Sequence, residues 1–218
     1  MVEKFAERQA MRDPAAGETV IADGVSFENF LKYFAERHTE WLTGKVISVV
    51  SNNTRHQMIQ MFLATLVNLF LGIKSLGQVL SAGVSMYVGD DRPAREPDLL
   101  IILNEHRSRI QPTYLDGPAD IVVEIVSPES TVRDRGDKLA EYEAAGVPEY
   151  WLFDPLRIEA FMYVLGDDGH YHPQPTDSEG RLVSKVLPGF RLHPALLWRD
   201  EPPTGAELID LVQQMAKS

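Results

Sequence analysis

The sequence contains no cysteine. That excludes a disulfide scaffold, a thiolate nucleophile and a cysteine-ligated zinc site, and it suits a reducing compartment. Long hydrophobic runs are also missing. The longest, "MFLATLVNLFLGI" from Met61 to Ile73, is interrupted by Asn68 and falls short of the roughly 20 residues that span a bilayer. The N-terminal "MVEKFAERQAMRD" is charged and has no apolar segment of the kind a signal peptide needs. These absences predict a cytoplasmic protein without a membrane partner. Positive charge is scarce: 21 Lys and Arg face 32 Asp and Glu, a net charge of −11. Duplex DNA repels such a chain at long range, so phosphate recognition requires a local basic patch. No glycine-rich phosphate loop, serine-nucleophile elbow or Rossmann fingerprint is present, and neither is a repeat or a low-complexity linker.

What is present predicts one α/β domain spanning residues 1–218: an N-terminal extension over 1–25, a core over 26–200 and a closing helix over 203–218. Ser26 caps a helix in "SFENFLKYFAERH", where Phe27, Phe30, Leu31 and Phe34 recur at helical spacing. "KVISVV" reads as a strand, and "SNNT" caps a longer helix from about Arg55 to Leu71, ended by Gly72. Strand-like segments follow at 78–89, 97–103 and 119–127. The continuous apolar pieces "LLIIL" and "IVVEIV" suit central strands covered on both faces. A helix follows in "PESTVRDRGDKLAEYEAAG", capped near Ser130 or Thr131 and stopped by Gly146. "EYWLFDP" and "RIEAFMYVLG" pair across a turn at Asp154-Pro155, and "LVSKVLPGFRL" is the last strand. The closing helix turns Leu208, Leu211, Val212 and Met215 inward.

One carboxylate, Glu124, stands among the branched apolar residues of "IVVEIV". Burying it costs several kcal/mol without compensation, which a salt bridge, protonation or a metal ion can supply. Asp98 opens the preceding strand after Pro97, 26 residues earlier, and Lys138 lies 14 residues later on a helix. Each has an ordinary explanation: a Pro-Asp turn, a solvated sheet edge, an i,i+4 partner of Asp134. Together they spell a chemistry. If the two strands are neighbours, Asp98 and Glu124 share one side and can hold Mg²⁺, with Mn²⁺ as a substitute, and Lys138 can stabilise charge on a phosphate.

At these residues the chain resembles a known family. "PDLLIIL … ADIVVEIVSPESTVRDRGDKLAEYEAAGVPEYWLFDP" is similar to the signature of the Uma-two family of bacterial restriction-endonuclease-like proteins: PD, then E-(I/V)-(L/I/V)-S-P, then D-x-x-x-K-x-x-x-Y, then G-V-x-E-Y-W. A looser likeness upstream places Glu40 and Gly44 of "TEWLTGKVISVV" and His56 at the rim of the site, with Thr43 where the family usually has Asp. The resemblance implies a restriction-endonuclease-like fold of the PD-(D/E)xK class, a mixed central sheet flanked by helices. It also implies metal ligands Asp98 and Glu124 and a catalytic group that adds Lys138, His56 and Glu40. In that class the lysine usually stands two residues after the glutamate, where this chain has Val126, so the resemblance assigns the role to Lys138 on the next helix. Asp134 would orient it and Tyr142 would support it.

The implied activity is Mg²⁺-dependent phosphodiester hydrolysis of nucleic acid, DNA ahead of RNA. Arg92, Arg95, Arg107, Arg109, Arg133 and Arg135 are the candidate phosphate contacts. A two-fold homodimer is compatible with cutting both strands of a duplex, although no residue pattern specifies one. The rival is a non-catalytic module that binds nucleic acid or protein on the same fold, which Thr43, Val126 and the acidic surface favour. A further metal pair, His170 and His172, lies in a polar loop.

Overall fold

The two continuous apolar runs lie side by side at the centre of the molecule. The computed structural model describes residues 11–12, 19–35, 38–48, 53–81, 83–127 and 136–217. "LLIIL" is strand β7 (Leu99–Leu103) and "IVVEI" is β9 (Ile121–Ile125). They form the middle of a mixed six-stranded sheet with β5 (Gly77–Ser81), β10 (Glu149–Asp154), β11 (Glu159–Leu165) and β12 (Tyr171–Pro173), in the order β12-β11-β10-β9-β7-β5. β9 and β10 run parallel, and the other neighbours are antiparallel.

Alternation along each strand sends side chains to two separate cores. Leu99, Ile101, Ile121, Val123 and Ile125 pack under helices α2 (Thr54–Lys74) and α4 (Gly205–Ala216). Leu100, Ile102 and Val122 face the other way, toward Tyr142 of helix α3 (Asp137–Ala144) and toward β6 (Ser85–Tyr87) and β8 (Tyr114–Asp116), which pair in parallel. A third core gathers Phe27 and Phe30 of α1 (Phe27–Tyr33) with Trp41 and Val46 of β3 (Thr39–Leu42) and β4 (Lys45–Ser48). β3 and β4 belong to a second sheet with β1 (Met11–Arg12) and β2 (Thr19–Ala22). Trp41 bridges this sheet to Ala94, just ahead of β7.

Several expected boundaries move. α2 continues past Gly72 to Lys74, because Ser75 takes the left-handed turn (φ 53°) and the Leu76 N–H closes on the Leu71 carbonyl. With 21 residues, α2 is long and apolar enough to cross a bilayer. Half (50%) of its most apolar 18-residue window is buried inside the fold. The expected strand at 78–89 divides into β5 and β6. The expected last strand divides into two short paired pieces, β13 (Leu182–Val183) and β14 (Arg191–Leu192), around Pro188 and Gly189. Leu208, Val212 and Met215 of α4 are buried as expected, while Leu211 is half-buried. The caps Ser26 and Asn53 both accept N–H groups from the first turns of their helices. Ser130 and Thr131 lie outside the described residues, and α3 begins after Gly136.

The β3–β4 hairpin turns on Thr43 and Gly44, at φ 45° and 103°, between the paired Leu42 and Lys45. Both central residues of such a turn need positive φ, and a β-branched threonine is ill suited to it. Asparagine tolerates the left-handed region better. Thr43→Asn is therefore expected to stabilise the fold by about 1 kcal/mol, raising the melting temperature by roughly 2–4 °C in a thermal denaturation scan.

Candidate active site

The β7–β9 register pairs Leu100 with Val122 and Leu99 with Val123. One more step sets Asp98 opposite Glu124. Residues opposite one another in an antiparallel pair share a face, with Cβ atoms about 4.5–5.5 Å apart. Both are buried, at 7% and 2% exposure. Pro97 cannot donate to the ladder, so the regular strand starts only beyond it and Asp98 sits at its mouth. There its Oδ2 accepts the Ile125 N–H at 2.7 Å.

Helix α2 secures Asp98 from the side. His56 and Gln60 stand one turn apart on the same helical face. His56 Nε2 lies 3.0 Å from Asp98 Oδ1, and Gln60 Nε2 donates to the Asp98 backbone carbonyl at 2.9 Å. The other imidazole nitrogen, His56 Nδ1, is buried with no hydrogen-bond partner among the described residues.

Helix α3 secures Glu124 in the same way. Lys138 and Tyr142 are also one turn apart, and both reach Glu124 Oε1: the ammonium at 2.7 Å and the phenol at 2.6 Å. Burial, with the Glu124 charge adding to it, pushes the Tyr142 phenol well above its ordinary range, so it remains a hydrogen-bond donor. The ion pair with Lys138 thus supplies compensation for a carboxylate placed in an apolar strand.

A third element completes the network. Glu40 of β3 is fully buried and lies 3.8 Å from Lys138 Nζ. Its Oε2 accepts from Arg95 Nη1 at 2.8 Å, while Arg95 Nε and Nη2 fork onto both Glu141 oxygens at 2.7 and 2.8 Å. Burial works against the guanidinium charge, but Glu40 and Glu141 outweigh it and hold its pKa above the usual value. Neighbouring Glu96, whose N–H reaches Glu40, is itself held above the ordinary carboxylate range by burial.

Asp98, Glu124, Lys138, His56 and Glu40 therefore meet at one end of the central sheet, although they come from five separate elements and connections. Sequence reasoning missed Gln60, Arg95 and Glu141 as members of this network. Tyr142 was visible through its spacing from Lys138 but not as a ligand of Glu124. Arg95, expected to meet phosphate, is 4% exposed and wedged between two carboxylates, so that expectation is corrected. Arg92 donates to the Ala144 carbonyl. Arg107 and Arg109 follow the far end of β7, a strand length of about 17 Å from Asp98. Asp134, Arg133 and Arg135 lie outside the described residues. His170 and His172 address different carboxylates, Glu143 and Asp168, and share no site.

Four carboxylates, those of Glu40, Asp98, Glu124 and Glu141, take part in this network. The donors are carboxylate oxygens, which suit a hard dication such as Mg²⁺ held by one or two carboxylates with waters. Three His, Asp or Glu ligand atoms within 4.8 Å of one another occur instead at Glu105, His106 and Asp120, beside the far end of β7. The Asp98–Glu124 pair thus fits a two-carboxylate site and not a closed protein cage.

The profile of a family described as "Uma2: Putative restriction endonuclease" matches residues 27–195. Among solved structures, the chain is similar to one described as a "putative nuclease belonging to DUF820" from Anabaena variabilis ATCC 29413. The TM-score is 0.66 and the identity 18%, over 80% of this chain and 97% of that one. No curated protein matches the chain.

Proposed function

The chain belongs to the Uma2 family described as "Putative restriction endonuclease", and from that premise we propose that it is a Mg²⁺-dependent nuclease acting on DNA. The observation that carries the proposal is the buried opposition of Asp98 and Glu124 with the Lys138 ammonium 2.7 Å from the latter. Asp98 and Glu124 would hold the ion. When bound, it supplies electrostatic stabilisation of phosphate charge and makes a water molecule more acidic.

The protein's own part is positioning and charge. His56 and the Ile125 N–H fix the Asp98 carboxylate, and Tyr142 fixes that of Glu124. Lys138, held between Glu124 and Glu40, presents a positive charge where a transferring phosphoryl group becomes more anionic. Glu40 is in turn held by Arg95, so the ammonium keeps its place through a chain of ion pairs.

The test is a cleavage assay with Mg²⁺ or Mn²⁺ on single-stranded, duplex and branched DNA, and on RNA. Asp98→Asn and Glu124→Gln preserve shape and remove charge. Each is expected to lower the rate at least a hundredfold while retaining a wild-type-like cooperative melt. Equal cleavage by wild type and both variants overturns the site assignment. Binding without cleavage by any of the three makes the protein a non-catalytic module.

A further inference from the structure

Helix α2 carries two features that its own fold does not explain. Met61 is 69% exposed, the largest value among the exposed large apolar residues. Gly72 stands in the last turn of the helix, exposed, and a Cβ built there meets nothing within 4 Å. Neither positive φ nor a close approach within the chain demands glycine at that position, and glycine weakens a helix relative to alanine.

Both belong to one exposed seam. Met61, Thr65, Asn68 and Gly72 recur at spacings of four, three and four residues, the pattern of a narrow helix-pairing stripe. Thr65 is half-buried and the other three are exposed. Between Arg55 and Lys74 the helix has no Asp, Glu, Lys or Arg. That is unusual on a chain of net charge −11. A stripe without charges can be buried against a second copy without leaving an ionic group desolvated.

The seam is self-complementary. A two-fold axis midway between Leu66 and Val67 relates Met61 to Gly72 and Thr65 to Asn68. In an antiparallel pair the protruding methionine of one copy then meets the partner's missing side chain, twice. The Thr65 hydroxyl also comes opposite an Asn68 amide. Antiparallel pairing separates the two Lys74 ammonium groups, which a parallel pair would bring together. Met61 and Thr65 of the seam also line an apolar groove of about 460 Å³ with Met58, Phe62, Pro202 and Leu208, which widens the uncharged surface. Exposed Ile209 also lies on α4.

We propose that the α2 seam binds a second copy of this chain, forming a two-fold homodimer in which Met61 packs over the partner's Gly72. The dimer stands independently of the nuclease reading, because none of the seam residues belongs to the site around Asp98 and Glu124.

Sedimentation equilibrium of the purified full chain over low to high micromolar concentration tests it. Wild type is expected to dimerise. Gly72→Leu fills the gap and is expected to weaken dimerisation at least tenfold, while the better helix former leaves the monomer's melting temperature unchanged or raised. Met61→Glu is expected to give monomer, and Met61→Glu combined with Gly72→Lys is expected to restore the dimer by placing opposite charges across the seam. A wild type that stays monomeric at high micromolar concentration overturns the proposal, whether or not it binds lipid vesicles through the seam. So does a dimer that survives Met61→Glu and Gly72→Leu unchanged, which would lie on another face.

Discussion

Replacing Lys138 with alanine is expected to remove DNA cleavage and to destabilise the fold by roughly 3–5 kcal/mol, because it takes from buried Glu124 the ammonium 2.7 Å away. The two losses have different origins and can be separated. Lys138→Met keeps the aliphatic stem but still removes the ammonium from Glu124, so it should be nearly as unstable as alanine. Adding Glu124→Gln removes the carboxylate charge that the ammonium faced. The double variant Lys138→Met/Glu124→Gln should therefore recover a good part of the stability, as buried ion pairs replaced by neutral groups often do. Its cleavage should remain absent, since both the ammonium and a metal-holding carboxylate are gone. Denaturant melts and single-turnover rates on the same four proteins check both halves. A double variant that regained cleavage with its stability would show the ion pair to be scaffolding alone.

How much of this was legible in the sequence depends on the range over which each signal acts. "LLIIL" and "IVVEIV" announced two covered strands because continuous apolarity is a local record of burial on both faces. Ser26 and Asn53 announced their helices because a cap acts within three residues. Glu124 stood out for the opposite reason, a local conflict between its charge and its surroundings. Arg95 gave no such sign. It lies in a polar stretch, "DDRPAREPD", and looks like surface charge; only pairing with Glu40 and Glu141, 55 and 46 residues away, makes it interior. Register has the same character. Asp98 and Glu124 were recognisable as a pair only if their strands were adjacent and antiparallel, and that follows from tertiary pairing. The stop of α2 at Ser75 instead of Gly72 is a smaller case, in which closure by the Leu76 N–H decided between two nearby candidates.

Arg95 is accordingly the site of the second large effect. Arg95→Ala is expected to cost roughly 3–5 kcal/mol, a fall of about 10 °C or more in melting temperature, since Glu40 is fully buried and would lose its strongest partner. Arg95→Lys should rescue little. The guanidinium serves three carboxylate oxygens at once through Nε, Nη1 and Nη2, and a single ammonium cannot reproduce that fork. The defect should also depend on pH, with a definite sign. Burial, with the Glu40 charge adding to it, already holds Glu96 above the ordinary carboxylate range, and without Arg95 desolvation would likewise disfavour the charged form of buried Glu40. A carboxylate whose folded pKa is raised above its unfolded value of about 4.3 contributes stability below that pH and loses it as pH rises through the folded pKa. The gap between wild type and Arg95→Ala should therefore be widest near neutrality and narrow as pH falls toward 4, where a protonated Glu40 no longer needs a cation. Melting curves of both proteins across that range decide it. A gap that stays constant, or widens in acid, would mean that Arg95 supports the fold through packing and hydrogen bonds, not by neutralising Glu40. The chain of ion pairs that steadies Lys138 would then end at Glu40.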